Sequence, residues 1–283
     1  MRRVWRVARW TTDVATTKRS AQAPLSAYVL HRYDWSESSL ILDLFTRDLG
    51  RIAVAAKGAK RPYSQMRAVL LPFQRIHVTL GRARTDAADS DIQTLRGAEW
   101  AGGAAMLTGG ALFSGFYLNE LLMKLLARHD PHPALFDAYA DTLPALAMPG
   151  DGPVQAALRA FELNLLREVG VLPDLSLVTL TQQSLHAAQC YALLPEIGVS
   201  AAPEQALAGN GLGSTPGLTG EVLLAIHAAL VQGDGPALRH ACGLALPELK
   251  AALRGLLHYH LGTDQLRTRR VMQTLPSSLR APP

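Results

Sequence analysis

Acidic side chains are missing between residues 51 and 84. These 34 residues carry eight basic side chains (Arg51, Lys57, Lys60, Arg61, Arg67, Arg75, Arg82 and Arg84) and no Asp or Glu. An ordinary solvated surface mixes both signs, so a one-signed stretch points to a polyanion partner, most simply nucleic acid. Cysteine is scarce as well: Cys190 and Cys242 are the only two in 283 residues. That excludes a disulfide framework and makes a reducing cytoplasm the expected home. Nowhere is there an uncharged apolar run of the ~18 residues that a membrane span requires. The first ten residues break every apolar pair with an arginine and so lack the apolar centre of a signal peptide. They read as part of a disordered basic arm over residues 1–24, the alternative being an amphipathic membrane anchor.

Catalytic signatures are lacking too. Lys57-Gly58-Ala59-Lys60 does not have the spacing of a phosphate-binding Walker loop, and neither Gly-x-Ser-x-Gly nor His-Glu-x-x-His occurs. Ser36, Glu37, Ser38 and Ser39 would alternate faces on a strand, so they read as holding a barrel turn by hydrogen bonds and not as a nucleophile cluster. His186 with Cys190 and His240 with Cys242 do not have the ligand spacing of zinc fingers. Isolated cysteines are usually buried apolar groups, and no cofactor or metal is expected. A nuclease or nucleotidyltransferase is the enzyme class this argues against.

What is present divides the chain. Net charge is +5, and 48% of residues are hydrophobic, enough for a sizeable core. Residues 1–24 hold six basic and one acidic side chain, 25–100 eleven and eight, and 101–283 eleven and fourteen. The positive charge is therefore at the front. Val, Ile, Tyr and Phe content and turn residues predict strands near 26–33, 38–46, 51–57, 73–80 and 91–99. Asp48-Leu49-Gly50 reads as a tight hairpin turn with Gly50 at positive φ. Residues 58–64 and 81–90 read as loops. Five short strands with a basic loop between the third and fourth fit an OB-fold barrel over residues 25–100.

After Trp100 the period becomes helical. Phe113, Phe116, Tyr117, Leu121 and Leu125 form a stripe within a helix of about 104–128, with Glu120 and Lys124 paired on its polar side. Asp130-Pro131-His132-Pro133 resembles a helix start with Asp130 as cap. A third stripe, Leu158, Phe161, Leu165 and Val169, ends at Gly170. Residues 171–217 read as a short hairpin or irregular excursion. Helical patterning returns at 219–231, 236–261 and 264–275. The fold class expected is α+β and multidomain: an N-terminal five-stranded OB-fold β-barrel, then an α-helical domain over 101–283.

The order of several motifs carries a family resemblance. Tyr28-Val29-Leu30-His31, Trp35-Ser36-Glu37-Ser38-Ser39-Leu40, Phe45-Thr46, Gly50-Arg51, Ala56-Lys57-Gly58-Ala59 and Leu71-Pro72-Phe73 resemble the N-terminal domain of the RecO family of DNA-repair proteins. Tyr117-Leu118-Asn119-Glu120-Leu121-Leu122, Leu135-Phe136, Leu158-Arg159-Ala160-Phe161-Glu162 and Tyr259-His260-Leu261-Gly262 are similar to its helical domain. The matches span about 28–262, with little between 171 and 250. The resemblance implies a non-enzymatic, cytoplasmic and nucleoid-associated recombination mediator. Such a protein binds single- and double-stranded DNA, anneals complementary strands, and acts with RecR to help RecA displace single-stranded DNA-binding protein (SSB). Some members carry zinc on two Cys-x-x-Cys pairs in the region equivalent to 171–200; with Cys190 alone there, that site is not expected in that form.

Candidate site residues follow. Arg51, Lys57, Lys60, Arg61, Arg67 and Arg75 are the candidate phosphate contacts, with Tyr63 a possible stacking platform. The alternative is a solvated basic loop. Arg267, Arg269 and Arg270 either extend the DNA path or form a charged helix face. The resemblance also implies a groove for the acidic, apolar-tipped SSB tail, for which Arg159, Phe161 and Arg167 are the candidates. The alternative for Arg159 is an internal pair with a nearby carboxylate. A generic OB-fold nucleic-acid-binding module without mediator activity is the competing function.

Overall fold

The computed structural model describes residues 23–81, 91–102, 106–202, 217–263 and 265–274. Five strands close into a barrel: β1 (Leu25–Asp34), β2 (Leu40–Thr46), β3 (Gly50–Ala56), β4 (Arg75–Leu80) and β5 (Ile92–Trp100), ordered β1-β2-β3-β5-β4. All neighbours are antiparallel except β3 and β5, and β1 with β4 closes the ring. This is the expected OB-type barrel. A single helical turn, α1 (Met66–Val69), lies between β3 and β4. Most of the expected basic arm at 1–24 and most of the 81–90 loop lie outside the described residues.

The barrel is filled by Ala27, Val29, Leu42, Leu44, Ile52, Val54, Ile76 and Val78. Strand alternation sends Tyr28, Leu30 and Phe45 outward, yet these are buried too, because the helices cover that wall. Tyr28 meets Phe136 and Tyr139 with ring centroids 5.2 and 4.9 Å apart, and Phe45 meets Phe136 at 5.4 Å. Such pairs contribute about 0.5–1.5 kcal/mol each beyond their area. Asn119 ties the seam: its amide donates to the Leu30 carbonyl at 3.0 Å and accepts from the Tyr139 hydroxyl at 2.6 Å.

Helices follow: α2 (Gly109–Leu125), α3 (Pro133–Leu146), α4 (Asp151–Glu168), then the hairpin β6 (Cys190–Leu194) and β7 (Gly198–Ala201), β8 (Leu218–Thr219), α5 (Gly220–Gln232), α6 (Gly235–Gly243), α7 (Leu246–Leu261) and α8 (Arg267–Thr274). Three local expectations change. On α2 the deeply buried face is Gly115, Leu118, Leu121 and Leu122, whereas Phe113, Phe116 and Tyr117 border clefts. The cap of α3 is His132, with Pro133 in the first turn, since proline without an N–H is tolerated there; Asp130 precedes it. The 236–261 stretch breaks at Leu244-Ala245, because Pro247 can stand only in the first turn of a new helix. Between α4 and β6, Leu177 makes one isolated bridge to Ser184 and no strand.

Gly50 and Arg51 join barrel to helices. Gly50 has φ +65°, and a Cβ there would collide with the Asp130 backbone carbonyl. Arg51 forks onto the buried Asp43 carboxylate at 2.9 and 2.8 Å, and also donates to the Met123 and Leu126 carbonyls at the end of α2. Those carbonyls have no partner further along the helix. The guanidinium supplies it.

Candidate nucleic-acid and partner interface

The loop after β3 is fixed rather than loose. Its turns are closed by backbone hydrogen bonds from Arg61 to Gly58 (3.1 Å), Ser64 to Arg61 (3.0 Å) and Arg67 to Ser64 (3.1 Å). It is tied to the β1–β2 connection by the Lys60 N–H on the Ser38 carbonyl (3.0 Å) and the Gly58 N–H on the Ser39 hydroxyl (3.4 Å). Rigid presentation lowers the entropy lost on binding. Lys57, Arg61 and Arg67 are exposed and, among the described residues, have no acidic partner. Lys60 is half-committed: its ammonium lies 3.0 Å from Asp34 and 3.1 Å from the Ser36 carbonyl.

A cleft of about 380 Å³ opens between this loop and β1, lined by Arg32, Asp34, Leu40, Lys60, Arg67 and Leu70. Exposed aromatic rings stand on the same elements: Tyr63 on the loop is 99% exposed and Trp35 on the β1–β2 connection 57%, while Tyr33, 46% exposed, lines a separate groove on the other side of β1. Cations beside bare rings provide both needs of single-strand binding, phosphate neutralisation and base stacking. Arg32, Tyr33 and Trp35 were missed as site residues by sequence reasoning. The signal in the sequence was the aromatic run Tyr33-Asp34-Trp35 at the end of a predicted strand, but that nothing covers it is visible only in the structure.

Two expected phosphate contacts are occupied elsewhere. Arg51 is consumed by Asp43 and α2. Arg75 is half-buried, 5.9 Å over the Phe136 ring, with a donor on the Ser26 hydroxyl at 3.3 Å. Neither belongs to the exposed cationic face.

On the helical side, α4 is buried nearly all round from Ala156 to Leu166, including Arg159 and Glu162. Arg159 pairs with Glu162 at 2.6 Å, and the Tyr117 hydroxyl donates to the same carboxylate oxygen at 2.6 Å. The internal-pair alternative for Arg159 is thus realised. Arg159 nonetheless lines a cavity of about 190 Å³ with Lys250, Arg254 and Arg269, floored by Tyr117, Leu158 and Leu257. Burial pushes the Glu162 carboxyl up, against the pull of Arg159. Burial and the charges of Arg159, Arg254 and Arg269 push the Lys250 ammonium down. Arg159 Nε and Glu162 Oε2 are buried without partners. Four cations around one buried carboxylate leave a surplus of positive charge that an incoming anion would relieve.

Phe161 and Arg167 do not join Arg159. Residues two apart on a helix point to opposite sides; Phe161 packs in the core against Tyr139 at 6.0 Å, and Arg167 donates to the Leu230 carbonyl. Both border a different recess that also holds Asp137, Asp141 and Asp234, poorly suited to an acidic tail. The α8 arginines separate as well: Arg269 faces the cationic cavity, Arg267 borders a groove against the barrel, and Arg270 is exposed. Glu120, expected to lie on a polar face, is buried and caps α8. It accepts from the Arg267 and Thr268 N–H groups at 2.8 and 2.9 Å and from the Thr268 hydroxyl at 2.6 Å, while Lys124 stands 3.9 Å away. Burial works to raise that carboxyl, but these hydrogen bonds outweigh it and hold it below its ordinary value.

Cys242 lies in the core, where burial pushes its thiol up to about 12. Among the described residues no group of three or more His, Cys, Asp or Glu is placed to hold a metal. No helix among them is long and apolar enough to cross a membrane.

Comparison with known proteins gives a consistent picture. The family model for the N-terminal part of recombination protein O matches residues 22–103, and that for its C-terminal part matches residues 106–198. The chain is 49% identical over 262 residues to the DNA repair protein RecO of Polaromonas sp. (strain JS666 / ATCC BAA-500), covering 92% of this chain and 98% of that one. It is 48% identical over 259 residues to DNA repair protein RecO of Verminephrobacter eiseniae, covering 92% and 98%. Against DNA repair protein RecO of Variovorax paradoxus it is 48% identical over 273 residues, covering 93% and 99%.

Proposed function

The chain belongs to the RecO family of DNA repair proteins, and from that premise we propose that it is a non-enzymatic mediator of recombination. It binds single- and double-stranded DNA through the barrel, anneals complementary strands, and with RecR promotes RecA loading on SSB-coated DNA in the cytoplasm. The observation that carries the DNA part is the fixed loop that presents Lys57 and Arg61 exposed and lines one cleft with Lys60 and Arg67 opposite Arg32, with Tyr63 bare on the same loop and Trp35 bare on the β1–β2 connection to which it is tied. Contacts to phosphate carry no base information, so binding is expected to be independent of sequence. Of the three α8 arginines, Arg267 and Arg270 are candidate extensions of the phosphate path, while Arg269 lines the cationic cavity of the helical side.

Support for an SSB-tail site is the cavity of Arg159, Lys250, Arg254 and Arg269. Its apolar floor suits an apolar C-terminal side chain, and its cations suit the terminal carboxylate, which an arginine can grip with two parallel hydrogen bonds.

Reversing Lys57, Lys60, Arg61 and Arg67 to glutamate tests the DNA reading. Each lost phosphate contact removes about 0.7 from the slope of log affinity against log salt for single strands, so a loss of roughly 2–3 is expected in a salt titration. An unchanged slope and affinity would refute it. The competing reading, a nucleic-acid-binding module without mediator activity, would show DNA binding without strand annealing or tail binding.

A further inference from the structure

The strand β1 outruns its cover. From Ala27 to Leu30 both of its faces are buried; from His31 to Asp34 both are exposed. Side chains there alternate, and the two sides of this projecting ridge differ in chemistry. Arg32 and Asp34 face the cationic cleft with Lys60 and Arg67. His31 and Tyr33, stacked edge to face with centroids 4.4 Å apart, face a groove of about 570 Å³ between β1, α2 and α8. That volume lies within the ~300–1,000 Å³ range of small-ligand sites. Phe113, Phe116 and Met123 line its floor, and Val271 is also on its wall. Lys124 and Arg267 stand at the rim. The one acid in the groove, Glu120, is already neutralised by the N–H groups of α8 and by Lys124. Among the described residues, the Arg267 guanidinium has no acidic partner.

We propose that this groove receives unstacked bases of single-stranded DNA whose backbone runs along the β1 ridge. The inference rests on the DNA-binding reading above and adds to it a subsite and a preference. Phosphates lie on the Arg32, Lys60 and Arg67 side; bases turn over the ridge onto Tyr33 and Phe116; Lys124 and Arg267 meet the next phosphates. The occupant is nucleic acid because the groove joins flat rings to the unopposed guanidinium of Arg267, where a site for an apolar protein helix needs neither. Paired bases cannot turn out in this way without unpairing, so the groove distinguishes single strands from duplex.

Two measurements test it on the full chain. Ultraviolet crosslinking of an oligothymidylate carrying 5-iododeoxyuridine, followed by peptide mapping, is expected to place adducts on the peptides of Tyr33 or of Phe113–Phe116. In parallel, Tyr33→Ala and Val271→Glu, both at exposed positions, are expected to weaken single-strand affinity about five-fold or more and leave duplex affinity unchanged. Single-strand affinity unaltered by these variants, but lost on reversal of Lys57, Lys60, Arg61 and Arg67, overturns the groove inference and leaves the DNA reading standing; that is also the result if the groove seats a protein helix or a second copy of the chain. An equal loss for single strands and duplex overturns the inference as well, since the groove then selects nothing. If neither set of variants matters, the DNA reading fails with it.

Discussion

Replacing Arg51 with methionine removes the guanidinium that holds the Asp43 carboxylate and the end of α2 at once. Asp43 is 2% exposed at its side chain and Arg51 15%, so the change strands a buried charge. Arg128, whose guanidinium is 3.9 Å from Asp43 and 2.7 Å from Asp91, is too far away and too committed to take over. Breaking a buried pair from one side costs about 3–5 kcal/mol, and the orphaned Met123 and Leu126 carbonyls add to that where water cannot reach them. For a chain of this size the loss corresponds to a melting point lower by roughly 6–20 °C. Adding Asp43→Asn is expected to restore much of it, because the stranded charge is the larger part of the cost. Thermal unfolding of the wild type, both single variants and the double variant closes the cycle, with oligonucleotide affinity measured alongside at low temperature. A stable Arg51→Met protein with a reduced salt slope for DNA would refute this reasoning, and would make Arg51 a phosphate contact after all.

Glu120→Gln is expected to loosen α8 by removing the charge that binds its two leading N–H groups, seen as faster hydrogen exchange at Arg267 and Thr268. The sign with pH follows: the folded Glu120 carboxyl is held below its ordinary value, so its contribution is complete above that ordinary value and lost as pH falls through the folded one. The pH dependence of α8 exchange should vanish in Glu120→Gln; persistence would assign it to another group. Arg254→Gln and Lys250→Gln are expected to weaken binding of an acidic peptide with a free apolar C-terminus about ten-fold or more, the scale of a lost hydrogen bond between charged groups. Arg167→Gln should leave that binding alone. Fluorescence anisotropy checks this, and equal effects at Arg167 and Arg254 would move the tail to the other side of α4. Arg159→Ala is a poorer probe, since it strands Glu162 and destabilises the core.

The barrel was legible because its strands are short β-branched and aromatic runs divided by turn residues, with Gly50 where only glycine fits. Helix α4 was legible as a helix, but its two charged core residues were not. An arginine and a glutamate three apart look like a surface pair until α2, α6 and α7 close over them. The stripe read on α2 was shifted because that helix is covered on more than one side, so its largest rings border clefts and its smaller residues meet the core. Arg51 looked like its basic neighbours because sequence shows a charge and not its partner, which here lies eight residues back on the adjoining strand. The cationic cavity draws on residues 159, 250, 254 and 269 from three helices, a separation no local pattern reveals. Tyr33 and Trp35 sat in plain view, but only the structure shows that nothing covers them.

If a cationic barrel and a tail-binding helical cavity act together on SSB-coated DNA, the annealing of complementary oligonucleotides precoated with SSB reports both at once. Wild type is expected to accelerate it, with the effect lost on reversal of Lys57, Lys60, Arg61 and Arg67 and also when the coating SSB lacks its acidic tail. Tight DNA binding by wild type with no acceleration of annealing would contradict the account and leave a nucleic-acid-binding module in its place.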